Sequence, residues 1–205
     1  MPSRLDNINE QRRQKLESLR ARGIDPYPHR FGQTHTTQQA VELLKELESK
    51  SVAEKEAALR NSKNHVSVVG RITAIRKMGK ASFLDIFDSS GKIQLLFQSV
   101  SFRQEEQELF KDLDIGDIIG VTGTLLRTRT GEPTISVGSF TMLAKSLQPL
   151  PEKWHGLSDT EIRYRQRYID LIANAGVKEI FKVRGRVIAT IRHFLDQRGF
   201  IEVET

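Results

Sequence analysis

Residues 65–98, "HVSVVGRITAIRKMGKASFLDIFDSSGKIQLLFQ", hold three runs in which apolar and polar residues alternate, separated by the turn signals "MGKA" and "SSGK". Alternation at period two marks strands with one buried face. In the second run Phe83, Asp85 and Phe87 share one side, with Leu84 and Ile86 on the other. In the third, Ile93, Leu95 and Phe97 share a side and leave Lys92, Gln94 and Gln98 opposite. A small sheet can bury only one of the two sets.

Two more β-rich runs follow, "DIIGVTGTLLRT" (117–128) and "TISVGSFTMLAK" (134–145), joined by "TGEP". Between the third and fourth runs, "SFRQEEQELFKDLD" has the composition of a helix. Five strands with a helix inserted after the third is the order of an OB-fold barrel, and closure would leave no exposed edge. An open sandwich or an SH3-like barrel competes on periodicity alone. The fold expected is mainly β with α: a five-stranded OB-fold barrel over 65–145 with helices before and after it.

Residues 1–64 read as a helical extension. A polar helix from about Asp6 to Arg22 closes at Gly23, before Pro26 and Pro28. "TTQQAVELLKELESK" opens with a Thr36-to-Gln39 capping box, and "SVAEKEAALR" with a Ser51-to-Glu54 box. These charge-rich pieces would gain little by packing alone and are expected to decorate the barrel. Residues 146–157, "SLQPLPEKWHGL", form a stiff linker. A helix opened by a Ser158-to-Glu161 capping box then covers 158–172. A wide apolar stripe follows, Ile180, Val183, Val187, Ile188, Ile191, Phe194 and Leu195, on a helix capped by Gly199.

Of the 205 residues, 38% are hydrophobic and 28% charged, and none is cysteine. Disulfides, thiol catalysis and cysteine zinc sites are thereby excluded, and no apolar run is long enough to span a membrane. The N-terminus lacks a signal-like apolar stretch, so a cytoplasmic location is expected. The formal charge of +6 favours an anionic partner, nucleic acid first. The five histidines are scattered without metal-ligand spacing, and no phosphate-binding glycine signature occurs. The basic run Arg163, Arg165, Arg167 has the pattern of a solvated helix face, with contact to RNA or a partner subunit as the alternative.

Whichever face of the barrel is outward, it sets a ring beside amides and cations, which suits single-stranded nucleic acid: a base stacks on the ring and an amide reads its edge. Arg76 and Lys77 precede the first turn and could supply attraction for phosphates. The plainer alternative has Phe83 covering a barrel end and Gln94 as a solvated polar residue.

"GRITAIRKMGKASFLDIFDSSGKIQLLFQ", "GDIIGVTGTLLRTRTGEPTISV" and "PLPEKWHGLSDTEIRYRQRYIDLI" resemble the N-terminal half of class II lysyl-tRNA synthetases. The first segment is shared with aspartyl and asparaginyl synthetases; "MGKASF" and "HGLSDTEIRYRQRYIDLI" resemble the lysyl members. The resemblance implies that the barrel binds the tRNA anticodon, with Phe83 stacking on the central uridine and Gln94 reading its edge. Arg76 would be an accompanying cation and Glu132, in the "TGEP" loop, an acid contacting the anticodon.

Residues 158–205 resemble the start of the class II α+β catalytic domain, motif 1: a helix and first strand that build a homodimer through Phe181, Val187, Ile191, Phe194, Gly199 and Phe200. "RGFIEVET" looks like that motif cut one residue before its usual proline. In the family, ATP, Mg and lysine are held by motifs 2 and 3, which these residues do not contain. The expectation is therefore a tRNA-recognition portion of a lysine–tRNA ligase, inactive by itself, with no catalytic residue, metal or cofactor of its own. A stand-alone OB-fold RNA-binding module and an aspartyl- or asparaginyl-type synthetase are the alternatives. The barrel itself argues against the paralogue that modifies elongation factor P.

Overall fold

Strand β1 (His65–Met78) is long enough to serve two neighbours. Its first half pairs with β4 (Ile118–Arg127) and its second with β2 (Ala81–Phe87), both antiparallel. A register shift between Ile72 and Ala74 bends it where the partners change. β3 (Lys92–Gln98) follows β2, and β5 (Pro133–Ala144) joins β4. A parallel ladder between β3 and β5 closes the barrel in the order β1-β2-β3-β5-β4. Helix α3 (Gln104–Lys111) lies in the chain between β3 and β4, which completes the OB order. These features come from a computed structural model that describes residues 4–50, 64–151, 157 and 159–204.

Alternation decides what fills the barrel. Leu84 and Ile86 point inward with Ile93, Leu95 and Phe97, joined by Val66, Val68, Ile72, Ile119, Val121, Ile135 and Met142. Phe140 lies edge-on to both Phe97 and Phe102, centroids 5.2 and 5.8 Å apart, an arrangement favoured by the ring quadrupoles. Gly123 has no room for a side chain, because a Cβ there would come within 2.1 Å of the Ser136 carbonyl oxygen.

Helix α1 (Arg4–Ala21) ends as its sequence demands. Gly23 takes φ +72° and the Ile24 amide donates to the Leu19 carbonyl at 3.0 Å. Helix α2 (Thr37–Ser49) begins with the expected Thr36–Gln39 capping box; the Ser51–Glu54 box lies outside the described residues. Leu19, Ala40 and Leu44 join the barrel's apolar core. Polar anchors add what these charge-rich helices lack in apolar area. Arg12, only 7% exposed, donates to the carbonyls of Ile115, Ser146 and Gln148 at 2.9–3.1 Å. Lys145, its side chain fully buried, donates to Asp114 at 2.6 Å and Asp117 at 2.8 Å, and Lys15 of α1 reaches Asp114 at 2.6 Å.

Asp88 is a second anchor. Its carboxylate accepts from the amides of Ser90 and Gly91 in its own turn, and from the amide and hydroxyl of Thr37 at the start of α2. Burial pushes this carboxyl up, but the hydrogen bonds from Ser90, Thr37 and Gly91 prevail and hold it at about 2, against an ordinary 3.8.

The chain divides into two compact units, Met1–Pro149 and Leu150–Thr205. The second contains α4 (Thr160–Arg165), α5 (Arg167–Ala173) and α6 (Ala175–Asp196). The single helix expected over 158–172 is two, broken at Gln166, whose φ −117° and ψ 58° are not helical. The cap of α4 is Asp159, which accepts from the Ile162 amide at 2.9 Å; Ser158 lies outside the described residues. Gly199 ends α6 with φ +78°. Phe200–Glu204 carry no strand ladder, where the sequence suggested a strand; a strand is defined by pairing, and no partner lies beside them among the described residues. No helix among the described residues is long and apolar enough to cross a membrane.

Two changes test the anchors. Lys145→Met leaves the buried Asp117 without its cation and is expected to lower the unfolding free energy by about 3–5 kcal/mol in urea titrations; an unchanged midpoint would contradict the assigned role. The folded-state value of Asp88 lies below its unfolded one, so its contribution is complete above about pH 4 and fades as pH falls toward 2. Asp88→Asn should therefore flatten the acid limb of the stability–pH curve within that window.

Candidate nucleic-acid interface

The outward face of β1, β2, β3 and β5 gathers the residues singled out in the sequence. Cross-strand register sets Arg76 opposite Phe83, Phe83 opposite Leu96, and Leu96 opposite Ser136. The neighbouring row runs Ala74, Asp85, Gln94, Thr134. Phe83 is half-buried and stands apart from the ring cluster of Phe97, Phe102, Phe110 and Phe140. Its face of β2 is thus the outer one, opposite the fully buried Leu84 and Ile86.

Each polar group beside the ring is held by a partner. The Arg76 guanidinium donates through both terminal nitrogens to Asp85, at 3.0 and 2.9 Å. That hydrogen bonding raises Arg76 above its ordinary value, with burial opposing it and the charges of Asp85 and Glu132 adding. Gln94 Oε1 lies 3.0 Å from the Thr134 hydroxyl, whose single proton it shares with the Glu132 carbonyl at 3.1 Å, and no described residue accepts from the Gln94 Nε2. Lys92 Nζ sits 3.1 Å from Glu132 Oε1. The Glu132 backbone is fixed in the β4–β5 turn: its amide donates to Thr128 Oγ1 at 3.0 Å, and Gly131 takes φ +85°.

Asp85, Lys92 and Thr134 were not among the residues proposed from sequence. The signal for Asp85 was present, since period two puts it on the Phe83 side, but its pairing with Arg76 crosses strands. Arg76–Asp85 and Lys92–Glu132 cancel in formal charge, so this face has little net field. The exposed cations Lys77 and Lys80 lie at the β1–β2 turn and Arg129 in the β4–β5 turn.

In the second unit, Asp170 has a side chain at 0% exposure and collects Arg163 Nε at 2.9 Å, an Arg167 terminal nitrogen and Asn174 Nδ2 at 2.7 Å. Arg165 pairs with Glu161 at 2.6 Å. The basic run is therefore held by intramolecular acids: Arg163 ties α4 to Asp170 of α5, while Arg167 and Arg165 pair within their own helices. Phe181, Val187, Ile191, Phe194 and Phe200 are all exposed, while Gly199 serves the helix end.

Among the described residues no three His, Cys, Asp or Glu side chains converge on a possible metal position.

Residues 66–143 match the family described as OB-fold nucleic acid binding domain, and residues 159–205 match tRNA synthetases class II (D, K and N). Similar proteins include the lysine–tRNA ligase of Dehalococcoides mccartyi strain BAV1, 51% identical over 97% of this chain and 38% of that protein. That of Carboxydothermus hydrogenoformans is 48% identical over 98% of this chain and 38% of its own. That of Thioalkalivibrio sulfidiphilus is 51% identical over 95% and 38% respectively. The chain thus spans about 38% of the length of these curated relatives.

Proposed function

The chain belongs to the lysine–tRNA ligase family, and on that footing we propose that its barrel holds the anticodon loop of a lysine tRNA, with Phe83 stacked on the central base. The observation that carries this reading is the half-buried ring beside an amide oriented by Thr134. With Oε1 engaged by the Thr134 hydroxyl, Gln94 presents Nε2 as a donor. A donor at this place complements a base edge carrying a carbonyl oxygen, as uracil does, and opposes one carrying an amino group. Asp85 keeps Arg76 beside the ring, where its remaining N–H capacity meets the loop, and Lys92 keeps Glu132 at the rim for a further anticodon contact.

Because the face is nearly neutral, stacking and edge reading supply discrimination there. Phosphate attraction falls to Lys77, Lys80 and Arg129 around it. The family's whole reaction joins lysine to its tRNA with ATP and Mg, by way of a lysyl-adenylate. These 205 residues contain neither motif 2 nor motif 3, and the chain assayed by itself is proposed to bind RNA without lysine-dependent pyrophosphate exchange. The exposed stripe through Phe181, Val187, Ile191, Phe194 and Phe200 is proposed as a homodimer surface.

Stacking on an aromatic ring is worth about 1–3 kcal/mol per base, so Phe83→Ala should weaken binding of an anticodon stem–loop about 5- to 150-fold without altering the salt slope. Wild-type affinity in that variant would remove Phe83 from the site. Thr134→Val frees the Gln94 amide to rotate. It should narrow the preference for uridine over cytidine at the central position, measured by competition between paired stem–loops; an unchanged ratio would show that Thr134 does not orient the amide.

A further inference from the structure

The β1–β2 hairpin has two usable faces. Arg76 and Phe83 occupy the outer one, while Lys77 and Ser82 pair with each other on the inner one, where Ser82 is also opposite Phe97. At this level β1 supplies a lysine where an apolar residue would fill the barrel. Residues of helix α3 face the hairpin across a cleft of about 220 Å³, lined by Lys77, Ser82, Phe97, Gln107, Phe110 and Lys111 among others. Resting on the anticodon reading above, we propose that this cleft is a second RNA subsite, taking a nucleotide that adjoins the three read bases.

The lining matches that occupant. Lys77 and Lys111 are exposed, and no carboxylate lines the cleft. Neither lysine has an acid partner among the described residues, so the local charge calls for an anion. Both amide hydrogens of Gln107 are committed, to the carbonyls of Ser99 and Phe102 at 2.9 Å each, which leaves its Oε1 as an acceptor. With the Ser82 hydroxyl, this gives a base edge both donor and acceptor partners. Phe97 and Phe110, with centroids 4.9 Å apart, supply the apolar wall. The volume lies below the roughly 300 Å³ at which drug-sized ligand pockets begin, so it suits one base rather than a complete cofactor.

The cleft is also within reach of the outer face. Phe83 lies two residues from the start of β2, about 7 Å at strand rise, so an unstacked strand leaving the ring can bend round the hairpin turn. The exposed Lys80 sits in that turn to meet its phosphate.

The test is an NMR titration of the 205-residue chain with the trinucleotide UUU and with a pentanucleotide extended by one residue at each end. The trimer should move the signals of Phe83 and Gln94 alone. The pentamer should also move the Gln107 side-chain amide and Lys111, and bind about 5- to 150-fold tighter, the range for one added stacked base. Lys111→Glu and, independently, Ser82→Val, which fills the cleft, should abolish that gain and leave trimer affinity unchanged. A gain that survives both variants, or a pentamer that leaves Gln107 and Lys111 unmoved while shifting Phe83, overturns the subsite. If the pentamer moves Gln107 and Lys111 while neither RNA moves Phe83 or Gln94, the cleft stands as an RNA site and the outer-face reading falls. Uridine monophosphate alone should bind the cleft more weakly than the pentamer does; tighter binding of the free nucleotide would reassign the cleft and overturn the proposal.

Discussion

Closure of the barrel falls to a parallel ladder of three residue pairs, Gln94 with Thr134, Leu95 with Ile135 and Leu96 with Ser136. Leu95 and Ile135 point inward and are fully buried, so the ladder seals the core. The flanking pairs point outward and bring together the amide and hydroxyl of the candidate interface. The same backbone bonds therefore remove the sheet's open edge and set the spacing of the groups proposed to read a base. The fold and the proposed recognition thus share one short segment, and neither could be shifted by a residue without exchanging inward and outward sets.

Charge is used differently on the two sides of this unit. Beneath α1, the buried Lys145 and Asp117 join the partly exposed Asp114 and Lys15 in one cluster, and Arg12 fastens three carbonyls beside it. Breaking such a cluster on one side strands the remaining charges, which is why it fixes the helix in one place more than it adds net stability. On the interface, Arg76–Asp85 and Lys92–Glu132 are part-exposed and individually weak. Their value there is orientation: a guanidinium and a carboxylate are held still in a nearly neutral surface where a ring can stack without strong non-specific attraction.

Much of this was legible in the sequence, and the reason is local. Period two assigned Phe83 and Asp85 to one face and Leu84 and Ile86 to the other, and the helix after the third strand gave the OB order. Gly23 and the Thr36–Gln39 box marked helix ends because caps depend on residues a few positions apart. What the sequence did not disclose depends on distant partners. Lys145 reads as a strand-terminal lysine, and its burial follows from Asp114 and Asp117 about thirty residues earlier. The break at Gln166 involves near neighbours, Asp170 collecting Arg163, Arg167 and Asn174 within seven positions, but no periodicity or capping pattern marks it. The cleft beside α3 is lined by residues of a hairpin and of a helix about thirty positions later, a juxtaposition that no periodicity encodes.

The turn at Asp88–Gly91 is short, rich in Ser and Gly, and by composition the sort of surface loop into which a tag or a foreign peptide is customarily grafted. Its aspartate, however, is shared with Thr37, 51 positions away, at the first turn of α2. Lengthening this loop would carry the carboxylate away from both clients at once. For anyone re-engineering this chain, the β2–β3 turn is accordingly a poor insertion point, because its permissive appearance hides the anchor of a helix elsewhere in the sequence.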